Sequence, residues 1–430
     1  MRYQPLPANF YQQTRARFMA QMKAKSLAIF NSNDVYPISA DSTLPFAQHR
    51  DIFYLCGVDQ EETILLLFPD AVEAKYREIL FVRETNPHIA VWEGAKLSKE
   101  EVTRLTGINT VFWLSDFDRI FRELSSQCDT FYFNTNEHYR QNVVTQTRED
   151  RFIKQCKANY PAHGVAKSNP ILQQLRAVKS TEEIAQIQTA CHITEKGFRR
   201  VLDFVKPGVW EYEIEAELIH EFLRHRSKGF AYSPIIAAGN NANVLHYTEN
   251  NQVCKAGDLI LMDVAAEYGN YSSDLTRTIP VSGKFSDRQK AVYEAVLRVK
   301  KEATQLLVPG TLWKEYHVEV GKIMTSELLG LGLLDKTDVA NQNPDLPAYK
   351  KYFMHGTSHH MGLDTHDYGL LHLPMEAQMV FTVEPGIYIP EEGFGIRLED
   401  DVVIQAEGAP FNLMKNIPIE VEEIESLMNS

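Results

Sequence analysis

The chain has 430 residues, 44% hydrophobic and 23% charged, with a formal net charge of −13. That length exceeds one ordinary core and predicts two domains. The acidic balance disfavours a nucleic-acid or anionic-membrane partner, since either needs a basic face.

The N-terminus, MRYQPLPANFYQQTRARFMAQM, has no apolar h-region, so no secretory signal peptide is expected. SLAIF (26–30), TILLLF (63–68), EILFV (78–82) and DTFYF (129–133) read as buried strands. TILLLF is the kind of apolar run found here, and it is too short to span a membrane. Between the strands, SKEEVTRL (98–105) carries a capping box, with Ser98 as N-cap and Glu101 three residues on. This first part is an α/β domain. Ser168-Asn169-Pro170 breaks the pattern and puts a boundary near 170–175, with domains 1–172 and 173–430. A long amphipathic helix is predicted to start after Ser180 or Thr181, with Glu183 in its first turn, and to end before VKPG (205–208). EYEIEAELIHEFLRHR (211–226) predicts a second helix. From about residue 230 strands and hairpins dominate, with one helical stretch at 286–307. Five cysteines (Cys56, Cys128, Cys156, Cys191, Cys254) are dispersed with no CxxC, the pattern of reduced thiols in a cytoplasmic protein.

Several familiar motifs fail. HEFLRH (220–225) spaces its histidines i and i+5, about 140° apart around a helix, so they cannot share a metal as an HExxH pair does. GKFS (283–286) lacks the upstream glycine of a phosphate loop. GFGIRL (393–398) lacks the third glycine of a dinucleotide site, and GTSHH (356–360) is not a serine elbow.

In DLILMDVAAEYGNYSSDLTRTIPV (258–281), Asp263 ends an apolar run and must face a core or a cleft. A buried carboxylate needs a partner. With the turn centred between Tyr268 and Gly269, Asp263 lies across from Asp274, and like charges there repel. The same design recurs in QMVFTVEPGIYIPEEGFGIRLEDDVVI (378–404): a turn at Glu391-Glu392 sets Glu384 opposite Glu399, with Pro385 interrupting the ladder. Taken alone, EDD (399–401) would read as an exposed acidic run. Between the hairpins lies HGTSHHMGLDTHD (355–367), with four of the chain's 14 histidines. Gly356 and Gly362 argue for a bent loop rather than a helix. One imidazole would be a ligand, and others would donate hydrogen bonds or shuttle protons. His360 is expected to face solvent or pack. Four inward carboxylates require cations. Oxygen-rich ligands with one imidazole suit Mn²⁺, Mg²⁺, Fe²⁺ or Co²⁺, and two ions balance the charge better than one.

These residues resemble the pita-bread metallopeptidases, and within them the Xaa-Pro aminopeptidases (aminopeptidase P) and prolidases. The resemblance rests on NVLHYTEN (243–250), MDVAAEYGNYSSDLTRT (262–278), HGTSHHMGLDTHD (355–367), TVEPGIY (382–388) and GIRLEDD (395–401). FAQHRDIFYLCGV (46–58) and VWEGAKLS (91–98) look like the family's non-catalytic creatinase-type domain, which methionine aminopeptidases lack.

The resemblance implies an α/β creatinase-type domain followed by an α+β pita-bread catalytic domain. It implies two divalent ions, Mn²⁺ above Co²⁺, Fe²⁺ or Zn²⁺. Asp263 would bind one ion and His359 and Glu384 the other, with Asp274 and Glu399 bridging. A hydroxide between the ions would attack the scissile carbonyl, with Glu384 as general base. His246, His355 and His366 would hold the substrate and its oxyanion, Arg397 would orient the bridging Glu399, and Tyr388 and Tyr232 would line the pocket. Expected substrates are peptides with proline second, with no nucleic acid or membrane partner and a homodimer or homotetramer as the assembly. A prolidase is the alternative activity, and a non-catalytic peptide-binding protein the alternative of another class.

Overall fold

The computed structural model describes residues 2–141 and 143–430. The chain divides into two compact units: Pro5–Leu175, and a second made of Arg176–Ser430 with the N-terminal stretch up to Gln4. The sequence expectation placed the division at 172/173, from Ser168-Asn169-Pro170. Here Asn169–Ala177 is helical, with Pro170 in the first turn, where a missing N–H and a fixed φ do no harm.

The first unit is a six-stranded mixed sheet. Its strands are β1 (Ser26–Asn31), β2 (Ile64–Leu67), β3 (Glu78–Val82), β4 (Thr110–Trp113), β5 (Thr130–Phe133) and β6 (Gly164–Lys167), in the order β4-β3-β2-β1-β5-β6. β1 runs antiparallel to β2 and parallel to β5. Successive side chains of β1 point to opposite faces. Leu27 and Ile29 pack with Phe117, Phe121 and Phe131, while Phe30 meets Phe18 of the helix Ala8–Met19 at 5.4 Å on the other face. Both faces are therefore covered, which is why these strands read as continuous apolar runs rather than alternating ones. Ser98 and Glu101 form the expected capping box at the start of Lys99–Thr106.

The second unit repeats one plan twice. A helix pair, α1 (Thr181–Phe204) and α2 (Glu211–Arg224), precedes β7 (Ile235–Ala238), β8 (Leu259–Asp263), the short hairpin β9 (Glu267–Tyr268) and β10 (Tyr271–Ser272), and β11 (Thr276–Pro280). A second pair, α3 (Asp287–Gln305) and α4 (Trp313–Gly330), precedes β12 (Val380–Val383), the hairpin β13 (Gly386–Ile389) and β14 (Phe394–Arg397), and β15 (Asp400–Val403). Ser180 caps α1 through a box with Glu183. α4 was not expected. Its β-branched Val318 and Val320 and its Gly321 weaken the local helix signal, and burial of Tyr316, Val320, Met324 and Leu328 on one side supplies what propensity does not. Both hairpins are interrupted: β8 pairs β11 and β9 pairs β10 with a gap between, as do β12 with β15 and β13 with β14.

Candidate metal centre

The interruptions are where the carboxylates sit. In the first hairpin Tyr268 pairs Tyr271 and Glu267 pairs Ser272. The turn is Gly269-Asn270, with φ of 61° and 66°, the two positive values a type I′ turn needs. Its centre lies one residue beyond the expected position. Asp263 therefore pairs with Thr276 rather than Asp274. A one-residue displacement of the turn moves the cross-strand partner by two, so Asp274 becomes a diagonal neighbour on the same face. Its backbone N–H donates to the buried carboxylate of Asp401 at 3.0 Å.

The second hairpin keeps the expected register. Val383 pairs Asp400 and Gly386 pairs Arg397, which leaves Glu384 and Glu399 facing one another in the gap at Pro385. Glu384 N–H donates to Thr357 O (2.7 Å) and Glu399 N–H to Thr276 O (3.0 Å), so the two hairpins are joined at Glu399. The Thr276 hydroxyl donates to Glu399 Oε2 at 2.6 Å.

His359 lies on an irregular segment laid against β12, exchanging hydrogen bonds with Thr382. Its Nδ1–H donates to the His360 carbonyl (3.0 Å). This leaves the Nε2 lone pair aimed inward, 3.4 Å from Asp274 and 3.7 Å from Glu384. Ligand atoms of Asp274, His359 and Glu399 all lie within 4.8 Å of one another. Arg397 donates to Asp263 Oδ2 (2.7 Å), the Thr276 hydroxyl (3.0 Å) and Tyr388 OH (2.8 Å). It thus holds Asp263 directly and reaches Glu399, the carboxylate it is expected to orient, through the Thr276 hydroxyl. Tyr388 OH in turn donates to His355 Nε2 (2.8 Å), and His355 Nδ1–H donates to Gly356 O (2.8 Å).

The other expected residues are placed as follows. Tyr388 is buried and Tyr232 half-buried with its hydroxyl inward, and burial followed by the Asp263 and Asp274 charges pushes the Tyr232 hydroxyl well above its usual range. The His366 ring meets that of His359 edge to face at 4.1 Å. His246 is exposed and bears on the site as a neighbouring charge to His355. His360 packs on Phe381 at 4.3 Å.

EDD (399–401) is not an exposed acidic run: all three side chains are buried. Asp400 pairs with Arg277 (2.6 Å) and with Lys300 of α3, and Arg277 also clamps the Thr276 and Glu399 carbonyls. Thr276 and Arg277 were not expected at the site, and Asp401 only as part of the EDD run. Strand alternation from Asp274 was the available signal: it puts Thr276 on the same face and Arg277 on the other.

The electrostatics bear on what the site can hold. Burial, then the Asp263 charge, raises Asp274 well above the usual carboxylate range. Burial, then Asp274 and Glu384, does the same for Glu399. Burial pushes Glu384 up to about 7, against the lowering influence of His359 and Arg397. Burial and then Arg397 bring His355 down to about 3, so it is neutral. Asp263 Oδ1 is buried and accepts no hydrogen bond. Four carboxylates share one guanidinium, one buried oxygen lacks a donor, and one imidazole offers a lone pair. That donor set fits hard to borderline divalent cations.

Comparison with known proteins agrees with this chemistry. The sequence model described as "Metallopeptidase family M24" matches residues 185–406, and "Aminopeptidase P, N-terminal domain" matches residues 11–132. The Xaa-Pro aminopeptidase of Haemophilus influenzae is 34% identical over 99% of this chain and 98% of its own. That of Escherichia coli is 34% identical over 97% of each. Among solved structures, the aminopeptidase PepP of Pseudomonas aeruginosa superimposes with a TM-score of 0.89 at 33% identity, covering 99% of this chain and 98% of that one. A zinc-substituted Escherichia coli aminopeptidase P in complex with product gives 0.88 at 32%, covering 99% of each.

Proposed function

The chain belongs to metallopeptidase family M24, and on that premise we propose that it is a metal-dependent Xaa-Pro aminopeptidase, releasing the first residue of peptides whose second residue is proline. The observation that carries this is the meeting of Asp274, His359 and Glu399 within 4.8 Å of one another, with Glu384 3.7 Å from His359 and Asp263 held by Arg397. These five side chains would hold two divalent ions, and an oxygen-rich set with one imidazole suits Mn²⁺, with Co²⁺, Fe²⁺ or Zn²⁺ as alternatives. Bound there, the ions supply Lewis acidity toward the scissile carbonyl and a lowered pKa for water.

The chain's own residues do the rest. Glu384 takes a proton from the attacking water and returns it to the leaving proline nitrogen. His355, with its Nδ1–H on Gly356 O and its Nε2 on Tyr388 OH, is kept neutral and so lines the substrate pocket without adding a charge; His366 and His246 hold the peptide and its oxyanion. Arg397 fixes Asp263 directly and Glu399 through Thr276. It also fixes Tyr388, and through it the His355 tautomer. Tyr232, half-buried with its hydroxyl beside Asp263 and Asp274, walls the pocket. An Xaa-Pro bond is a tertiary amide with no N–H, so nothing in this scheme depends on that donor.

The match to an aminopeptidase P N-terminal domain favours this reading over a dipeptide-only prolidase. A homodimer or homotetramer is supported by Val91 and Trp92, 79% and 80% exposed on the short helix Pro87–Glu93, a surface a partner copy would cover. A cytoplasmic location is supported by the five cysteines, all free and buried. Among the described residues no helix is long and apolar enough to cross a membrane.

The test is chelation, add-back of Mn²⁺, and a choice between Gly-Pro and Arg-Pro-Pro. Release of arginine establishes the aminopeptidase, and cleavage of Gly-Pro alone makes it a prolidase. Cleavage of neither, with Co²⁺ and Zn²⁺ also tried, leaves a peptide-binding protein.

A further inference from the structure

His366 stands on a tight loop that is held from behind. Asp367 N–H donates to His360 O at 2.8 Å, and Gly362 O accepts from Ser272 N–H at 2.8 Å, tying the loop to the first hairpin. Both carboxylates flanking His366 meet one guanidinium: Arg176 Nη2 lies 2.7 Å from Asp364 and 2.5 Å from Asp367. The Lys179 ammonium takes the other Asp367 oxygen at 3.1 Å. Asp367, Arg176 and Lys179 are all buried. Arg176 also lies over the Tyr368 ring, 4.4 Å from its centroid. Gly362 is where this clamp closes: a Cβ there would stand 2.2 Å from Asp367 Oδ2 and 2.8 Å from Lys179 Cε. The segment that supplies the cations, residues 176–179, is therefore built into the back of the His366 loop, while the His366 side chain faces out beside His359.

We propose that Arg176 and Lys179 are positioning residues for the peptidase reaction: through Asp367 they fix the backbone that aims His366 at the substrate. The proposal rests on the reading of His366 as substrate-facing. A buried ion pair of this geometry is a poor source of net stability, because desolvation offsets the Coulomb gain. What it does supply is a loop that cannot drift, and a displacement of about 1 Å at such a position costs on the order of 100-fold in rate.

The experiment is a double-mutant cycle on Mn²⁺-loaded full-length protein with Arg-Pro-Pro, using Arg176→Met, His366→Ala and their combination. Bound metal is measured in each. Arg176→Met is expected to lower kcat/KM by about 10- to 100-fold at unchanged metal content. Arg176→Lys is expected to recover part of the loss. In the His366→Ala background, Arg176→Met should cost less than about 2-fold more, the non-additivity of residues acting as one unit. The same factor in both backgrounds, or wild-type activity in Arg176→Met, overturns the proposal. Wild-type activity in His366→Ala instead overturns the substrate-facing reading. Should Arg176→Met not fold, Lys179→Gln removes one hydrogen bond from Asp367 and enters the same cycle. The ¹³C–¹H correlation of the His366 ring in metal-free protein gives a readout independent of turnover: it should shift or broaden in the clamp variants, and an unchanged signal counts against the clamp.

Discussion

Glu384→Gln in metal-free protein tests the electrostatic account directly. Burial holds the Glu384 carboxyl neutral up to about pH 7, against an ordinary value of 4.5. Below pH 4.5 the group is protonated in both folded and unfolded chains, and its contribution to stability is fully present. As pH rises toward 7 the unfolded chain ionises first, so stability falls, and the loss is complete above the folded value. That interval corresponds to about 3 kcal/mol at roughly 1.4 kcal/mol per pH unit. Asp274 and Glu399, raised for the same reason, add to the slope in the same direction. Glutamine has no proton to lose, so the variant should keep about 3 kcal/mol that the parent sheds between pH 4.5 and 7. Urea titrations followed by circular dichroism in chelator, at half-unit pH steps, read this out. His355, His360 and His317, kept neutral by burial, tilt both profiles the other way, so the difference between parent and variant is the readout, and parallel pH profiles would refute the argument.

Metal loading should reverse the penalty. Mn²⁺ is expected to displace protons from Asp274, Glu399 and Glu384, so titration calorimetry in two buffers of different ionisation enthalpy should report proton release, and affinity should strengthen as pH rises. At a free metal concentration of 100 times the dissociation constant, each site should add about 2.7 kcal/mol, seen as a rise in Tm. Thr276→Val removes the hydroxyl that links Arg397 to Glu399, and should weaken metal binding by about 10- to 100-fold while leaving the circular dichroism spectrum unchanged. Gly269→Ala forces a side chain into left-handed backbone and should cost about 1–2 kcal/mol in urea unfolding.

Much of the site is legible locally. Asp263 and Glu384 announce themselves because each ends an apolar strand, where a carboxylate cannot be idle. Turn chemistry set the register of the second hairpin. In the first hairpin the turn lies one residue beyond the expected centre, because Gly269 and Asn270 are the pair that takes the left-handed conformation a two-residue turn needs. Helix α1 was readable from its capping box, since that signal lies within four residues. Helix α4 was not, because its stability comes from the face it buries rather than from its own propensities.

Residue identity and spacing determined which groups carry the chemistry: four carboxylates at strand ends, a histidine block between them, and the order of the motifs. Only tertiary structure decided who holds them in place. That Arg397 grips Asp263 and reaches Glu399 through Thr276, that EDD is buried against Arg277 and Lys300, and that Arg176 and Lys179 reach 191 and 188 residues along the chain to Asp367 are facts of contact. The physical reason is one of range. Strand and turn signals act over a few residues and are written in the local pattern. A buried ion pair joins distant segments, and nothing in either segment alone distinguishes a cation on a solvated surface from one closed inside the fold.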